Sequence, residues 1–332
     1  MAQEETVLAV DDLQVQFRSR DETVYAVNGV SFSVSRGEVL GVVGESGCGK
    51  SISMLSVIGL LPRPHGHVAG GTALFKGRNL FELPNADLTR IRGNEIAIVF
   101  QDPMVSFNPV YTIGNQLTET LMAHKKISRA DAERSACEML RLVGITNPDE
   151  RLKAYPHQFS GGMRQRAMIA MALICNPDLL IADEPTTALD VTVQAQILDL
   201  MNGLKDEFGS SVMLITHSLG VVAETAQRVA VMYAAKVVEE APVGPIFKTP
   251  LHPYTQGLLT SIPKMDETVE RLPVIPGIVP SPLNFPDGCR FHNRCPECFE
   301  KCLAEAPPLF KVEESHTARC WLYEGRGEAL DD

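Results

Sequence analysis

Apolar positions along residues 7–43 come in short runs separated by polar turns, the pattern of strands. Val7–Val10, Leu13–Phe17, Val30–Val34 and Val39–Val43 read as strands, with turns at Asp21-Glu22-Thr23 and Ser35-Arg36-Gly37-Glu38. Ile96-Ala97-Ile98-Val99-Phe100 is a further β-rich run. Between 112 and 145 the period becomes helical: Ile113, Leu117, Leu121 and Met122, then Ala132, Ala136, Met139, Leu140 and Val143. A strand returns at Leu179–Ala182, a helix covers Val193–Leu204, and strands follow at Val212–Thr216 and Val229–Tyr233. The pattern predicts an α/β core interrupted by a mostly helical insertion over about 102–178.

After about residue 240 prolines crowd the chain, from Pro242 and Pro245 to Pro282 and Pro286, so regular elements there should be short. This suggests a first domain over 1–240 and a Pro- and Cys-rich extension over 241–332. The 332 residues suffice for one large domain and a smaller one. A net charge of −11 argues against nucleic acid as a partner. No apolar run reaches the eighteen residues of a membrane span. The acidic start Met1-Ala2-Gln3-Glu4-Glu5 lacks an apolar leader, which predicts a cytosolic chain whose eight cysteines form no structural disulfides.

The chemistry starts at Gly44-Glu45-Ser46-Gly47-Cys48-Gly49-Lys50-Ser51. It lies between the apolar strand at Val39–Val43 and a helix carrying Ile52, Met54, Leu55 and Ile58. A glycine-rich turn in that setting turns backbone N–H groups and a helix dipole toward a phosphate chain. Lys50 would reach the β- and γ-phosphates and Ser51 would bind Mg²⁺. Leu179-Leu180-Ile181-Ala182-Asp183-Glu184 is an apolar strand ending in two acids. Asp183 suits Mg²⁺ held through water, and Glu184 suits polarisation of an attacking water. Ser160-Gly161-Gly162, ahead of Met163-Arg164-Gln165-Arg166, is either an ordinary helix N-cap or a second anion nest. One phosphate loop per chain means that a two-site enzyme needs two chains.

With these motifs in order, the chain resembles the nucleotide-binding subunits of ATP-binding-cassette (ABC) transporters. Ser160-Gly161-Gly162 then stands as the signature, with Met163 where Gln is common. Gln101, in Val99-Phe100-Gln101-Asp102-Pro103, matches the Q-loop glutamine, a sensor of Mg²⁺. Ala188-Leu189-Asp190 matches the D-loop and His217 the switch histidine at the γ-phosphate, followed by Ser218 where an acid is usual. Phe17 stands where the family stacks an aromatic on adenine, with Tyr25 as a rival. The resemblance implies a P-loop NTPase fold, a RecA-like core plus helical subdomain, and ATP and Mg²⁺ as ligands. Two cassettes would close head to tail, each ATP sitting on one phosphate loop and under the other chain's signature.

Phe100–Pro109, Tyr155-Pro156-His157-Gln158 and Leu251-His252-Pro253-Tyr254-Thr255 resemble the dipeptide and oligopeptide importers, a group that also carries nickel, glutathione and opines. That likeness implies a peripheral subunit on the cytoplasmic face of the bacterial inner membrane. Its partners would be a second, different ATPase subunit, two transmembrane permeases and an extracytoplasmic solute-binding protein. Cys289, Cys295, Cys302 and Cys320 follow that group's four-cysteine pattern, on which some members hold a [4Fe-4S] cluster. Cys298 makes a CxxC pair with Cys295, which keeps zinc open as the alternative. His292 and His316 lie nearby and read as polar surface or supporting residues. Two rivals share the phosphate loop: a soluble ABC ATPase on DNA or ribosomes, and a nonhydrolytic regulatory module. The first lacks its coiled-coil, zinc or second-cassette insertions here, and Glu184 with His217 argues against the second.

Overall fold

The computed structural model describes residues 5–19, 22–187, 190–262 and 274–330. The chain divides into two compact units, one of residues 1–7, 35–38 and 83–214, the other of residues 8–34, 39–82 and 215–332.

In the first unit, Ile96–Val99 pairs in parallel with Leu179–Asp183, Ile96 opposite Leu179 and Val99 opposite Ala182. All five residues of the second strand are buried, including the terminal acid. A strand covered on both faces reads as an unbroken apolar run, which is why it is visible in the sequence. The helical part packs Ile113–His124, Arg129–Leu142 and Gly161–Leu173 on one another. Leu117, Leu121, Ala132, Ala136, Leu140 and Ile169 fill the space between them. Each helix starts on a side-chain cap: Thr112, Ser128 and Ser160 accept from the N–H of Asn115, Asp131 and Met163.

In the second unit, Val39–Val43 lies parallel to Arg228–Tyr233, which pairs antiparallel with Lys236–Pro242. The latter carries His316–Ala318, then Leu309–Glu313 and Glu328–Leu330, so the C-terminal chain extends this sheet. A separate antiparallel sheet joins Thr23–Ser35, Thr6–Arg18, Gly66–Phe75 and Arg78–Asn79.

The strands expected at Val7–Val10 and Leu13–Phe17 form one strand, Thr6–Arg18, with a bulge between them. Asp12 there takes φ +43°, and Gly71, close to it on the neighbouring strand, takes φ +85°. A Cβ on Gly71 would lie 2.3 Å from the Asp12 carbonyl, so the bulge requires glycine opposite it. The turn at Ser35–Glu38 is present, its Glu38 carboxylate accepting the Ser35 N–H at 2.7 Å. Of the turn at Asp21-Glu22-Thr23, Asp21 lies outside the described residues, and Thr23 begins a strand. Gly66–Phe75 and Lys236–Pro242 are strands that carry no clear apolar alternation in the sequence.

Candidate nucleotide site

The strand at Val39–Val43 delivers the chain into the phosphate loop, and Lys50 opens the helix Lys50–Val57. Gly44, Gly47 and Gly49 take φ +154°, +81° and +103°. A Cβ on Gly44 would come within 2.2 Å of the Met232 carbonyl and one on Gly49 within 2.8 Å of the Ala26 carbonyl. These two glycines let the loop lie against neighbouring backbone, leaving its other side open to an anion. Nothing lies within 4 Å of a Cβ built on Gly47. Lys50 is buried, and its ammonium donates to the Gly44 carbonyl at 2.7 Å and the Glu45 carbonyl at 3.0 Å. Cys48 is buried beneath the loop, and burial raises its thiol pKa against the pull of Lys50. Ser46 and Ser51 complete the loop, Ser51 in the first turn of the helix.

Phe17, one residue before the end of the first long strand, lies opposite Gly66 and is half-buried, its ring edge within 2.9 Å of a Cβ built on Gly66. Glycine there leaves the ring room beside the backbone. Tyr25 is the more exposed of the two aromatics. His217 stands exposed just after the strand Ser211–Thr216.

The other candidates belong to the first unit. Asp183 is buried at the end of its strand. Glu184 follows at φ +45°, a left-handed conformation that costs an L residue about 1 kcal/mol or more. Strain of this kind persists where the surroundings fix the residue, and two donors do so here. Gln101 Nε2 donates to Glu184 Oε2 at 3.1 Å and Thr187 Oγ1 donates to the same oxygen at 2.9 Å. The pairing of Gln101 with Glu184 brings together two residues 83 positions apart. Thr187 carries no signal in the sequence beyond following the acidic turn.

Ser160 caps its helix, with Gly161 and Gly162 in the first turn. Gln165 of that helix is buried and donates to the Pro185 carbonyl, tying the helix to the acidic turn. Asp190 caps the helix Val191–Phe208, its Oδ1 accepting the Val193 N–H at 2.9 Å. Ala188 and Leu189 of the expected D-loop lie outside the described residues.

A strand–glycine loop–helix with its lysine in place, and an acidic strand end whose glutamate meets a glutamine, together describe a nucleotide-hydrolysing cassette. Residues 27–187 match the family model described as ABC transporter. Residues 238–302 match that of the oligopeptide/dipeptide transporter C-terminal region. The chain is 53% identical over 316 residues to a probable peptide ABC transporter ATP-binding protein, y4tR, of Sinorhizobium fredii, covering 95% of this chain and 94% of that one. The chain belongs to the ABC transporter ATP-binding subunits.

The Bacillus subtilis oligopeptide transport ATP-binding protein AppD is 50% identical, over 97% of this chain and 98% of its own. The dipeptide transport ATP-binding protein DppD of the same organism is 51% identical, over 98% and 97%. Among solved structures, the dimeric post-hydrolysis state of the ATP-binding cassette MJ0796, bound to ADP and phosphate, superposes with a TM-score of 0.64. Its identity is 28%, over 71% of this chain and 98% of that one. The fold is therefore the mixed α/β P-loop fold of ABC cassettes, and the chain is an ATP hydrolase coupled to transport, with ATP and Mg²⁺ as its ligands. Among the described residues no helix is long and apolar enough to cross a membrane.

The C-terminal cysteines share one electrostatic neighbourhood. Burial raises the Cys289 thiol pKa, and the thiols of Cys302 and Cys298 add to it. Cys295 is pushed up to about 11 and Cys320 to about 12, by burial first and then by the neighbouring cysteines. Cys298 is exposed, and its thiol is raised by desolvation and then by Cys302. The N–H of Cys289 donates to the Cys302 carbonyl at 2.8 Å, which joins two of these segments. Among the described residues no three Cys, His, Asp or Glu side chains are gathered as a metal site. His292 turns Nδ1 to the Cys289 carbonyl, and His316 is buried with Nε2 on Glu239, so both serve the polar framework.

Proposed function

We propose that this chain is one active half of a pair of different ATPase subunits that powers a peptide importer at the cytoplasmic face of the inner membrane. The observation that carries the reading is likeness at 50% identity or more to peptide-transport ATP-binding proteins, along nearly the whole chain. In this reading residues 1–240 form the ATPase and 241–332 the extension. Two permease subunits and a solute-binding protein complete the transporter. The cassette itself never touches cargo. Nickel, glutathione or an opine would leave its chemistry unchanged.

In hydrolysis the N–H groups of Ser46–Ser51 cradle the phosphates, and Lys50 leaves the loop carbonyls for the β- and γ-phosphates. Ser51 and Gln101, with Asp183 through water, would hold Mg²⁺, which would supply charge neutralisation at the phosphates. Glu184 orients and polarises the water, Gln101 releasing its carboxylate, and His217 holds the γ-phosphate. Phe17 stacks on adenine. Ser160, Gly161 and Gly162 cap the partner's ATP, and Asp190 lines the interface between the cassettes. Dipeptide uptake into vesicles of the assembled transporter tests the reading. ATP-dependent uptake that E184Q stops is the expected result. Uptake unaffected by E184Q, or transport of nickel alone, would overturn the role or the cargo.

For the cysteines, the reading is a structural [4Fe-4S] cluster on Cys289, Cys295, Cys302 and Cys320, with Cys298 beside it. The all-thiol donor set supports it, while among the described residues the side chains are not gathered as a metal site. Iron, sulfide and zinc per chain after anaerobic purification test it: four irons and four sulfides are expected, and one zinc without sulfide replaces the cluster with a zinc site.

A further inference from the structure

The phosphate loop carries a carboxylate. Glu45 is the second residue of a loop built to hold a triphosphate, and an unneutralised carboxylate there would repel the ligand. Its charge is met from 249 positions downstream. Arg294, its side chain 3% exposed, binds both carboxylate oxygens, at 2.7 and 3.0 Å. This is the fork-to-fork geometry that arginine makes and lysine does not. The guanidinium is itself fixed: Nε donates to the Pro276 carbonyl at 2.9 Å, and weaker contacts at 3.4 Å reach the Tyr233 hydroxyl and the Ile275 carbonyl. Arg294 thus has no donor turned toward a phosphate and acts only through Glu45.

The backbone of Glu45 is held as firmly as its side chain. Its N–H donates to the Tyr254 hydroxyl at 2.9 Å and its carbonyl accepts from Lys50 at 3.0 Å. Tyr254 is fully buried, tilted on Tyr233 and edge-on to Phe291. Burial raises its pKa, so the phenol stays neutral. Its own N–H donates to His252 Nδ1 at 3.0 Å, and the His252 N–H donates to the buried Glu239. Arg294 and Tyr254 both fall within 238–302, the stretch that matches the C-terminal transporter region and lies outside the 27–187 cassette match.

We propose that Arg294 is a positioning residue of the ATP site, through which the C-terminal region neutralises the phosphate loop's own carboxylate and, with Tyr254, sets the loop for ATP. The proposal rests on the ATPase reading. It assigns the C-terminal region a part in ATP affinity, separate from any part in holding metal.

The test is Mg-ATP binding by calorimetry on the full-length protein, with KM and kcat of hydrolysis on the assembled transporter. R294M uncovers a charge beside the phosphates, and affinity falls about tenfold as KM rises, with kcat within about twofold. Adding E45Q to R294M removes that charge and restores affinity to within about threefold of wild type. A purely structural arginine would not be rescued by E45Q, so a double variant as weak as R294M overturns the proposal. Unchanged affinity in R294M overturns it as well. Should R294M fail to fold, R294K and E45Q carry the test. R294K keeps the charge and stays within about threefold, whereas E45Q leaves Arg294 in place and binds ATP as tightly or a few-fold tighter. Weaker binding by E45Q overturns the proposal. A wild-type chain that binds no ATP overturns the ATPase reading and this proposal with it; wild-type binding with an unresponsive R294M overturns this proposal alone.

Discussion

The strand that feeds the phosphate loop and the C-terminal segment that reaches Glu45 are held by opposite means. Val39–Val43 is apolar and buried throughout, its backbone polar groups paired along the sheet. The C-terminal segment buries Glu239, His252, Arg294, His316 and Arg319, each tied by side-chain hydrogen bonds. Glu239 alone accepts from the N–H groups of Leu251 and His252 and lies 2.8 Å from His316 Nε2. Apolar burial is non-directional and tolerates a change of shape, whereas a buried polar network fails when one member is lost. A conservative change of shape should therefore cost the strand less than the loss of one polar group costs the C-terminal network.

The largest effect expected is chemical. E184Q lowers ATP hydrolysis in the assembled transporter by about a hundredfold or more and leaves ATP binding intact. Turnover near wild type would remove Glu184 from the mechanism. Next, the two regions can be set against each other in stability. E239A strands two backbone donors and an imidazole in the interior and costs about 3–5 kcal/mol. Leu40→Ala, in the fully buried strand, costs about 2–5 kcal/mol by leaving a cavity. Denaturant unfolding measures both. Leu40→Val discriminates further: at about 1 kcal/mol it is mild, while E239Q, equally conservative in shape, remains above 2 kcal/mol.

A pH dependence follows from the same network. Burial holds His252 at about 4, below the ordinary 6.5, against the opposite pull of Glu239. Between those values the unfolded chain takes up a proton that the folded chain refuses, so stability falls as pH drops from about 6.5 to about 4. Above 6.5 the group contributes nothing, and its full effect is on the order of 3 kcal/mol. H252N keeps an acceptor for the Tyr254 N–H. The difference in unfolding free energy between wild type and H252N should shift with pH across that window. A constant difference would show that the imidazole is not buried as a neutral group. The smallest effect is at Ser160. S160A removes a helix cap and costs about 1 kcal/mol, read by thermal unfolding.

Much of the nucleotide site is legible in the chain itself. A buried parallel strand must be apolar, and a phosphate-binding turn must have glycine where backbone crowds it. Val39–Val43 with Gly44 and Gly49 therefore announces both strand and loop. Leu179–Asp183 announces itself for the same reason. Gly66–Phe75 escapes because a bulge and its glycines break the alternation. Gln101 and Glu184 are readable only through their order along the chain, and Thr187 not at all. In the C-terminal segment the cysteine spacing is visible, but nothing local marks Arg294 as the partner of Glu45.

By itself the sequence determined the α/β class, the glycine-rich loop, the acidic strand end and the capped Ser160-Gly161-Gly162 turn, because each depends on neighbours within a few residues. Only the tertiary structure decided that Gln101 meets Glu184, that His316 serves Glu239, and that Arg294 and Tyr254 hold the loop at Glu45. Those pairings join residues 77 to 249 positions apart. The free energy of closing such distances depends on the whole fold, and no local pattern of residues can encode it.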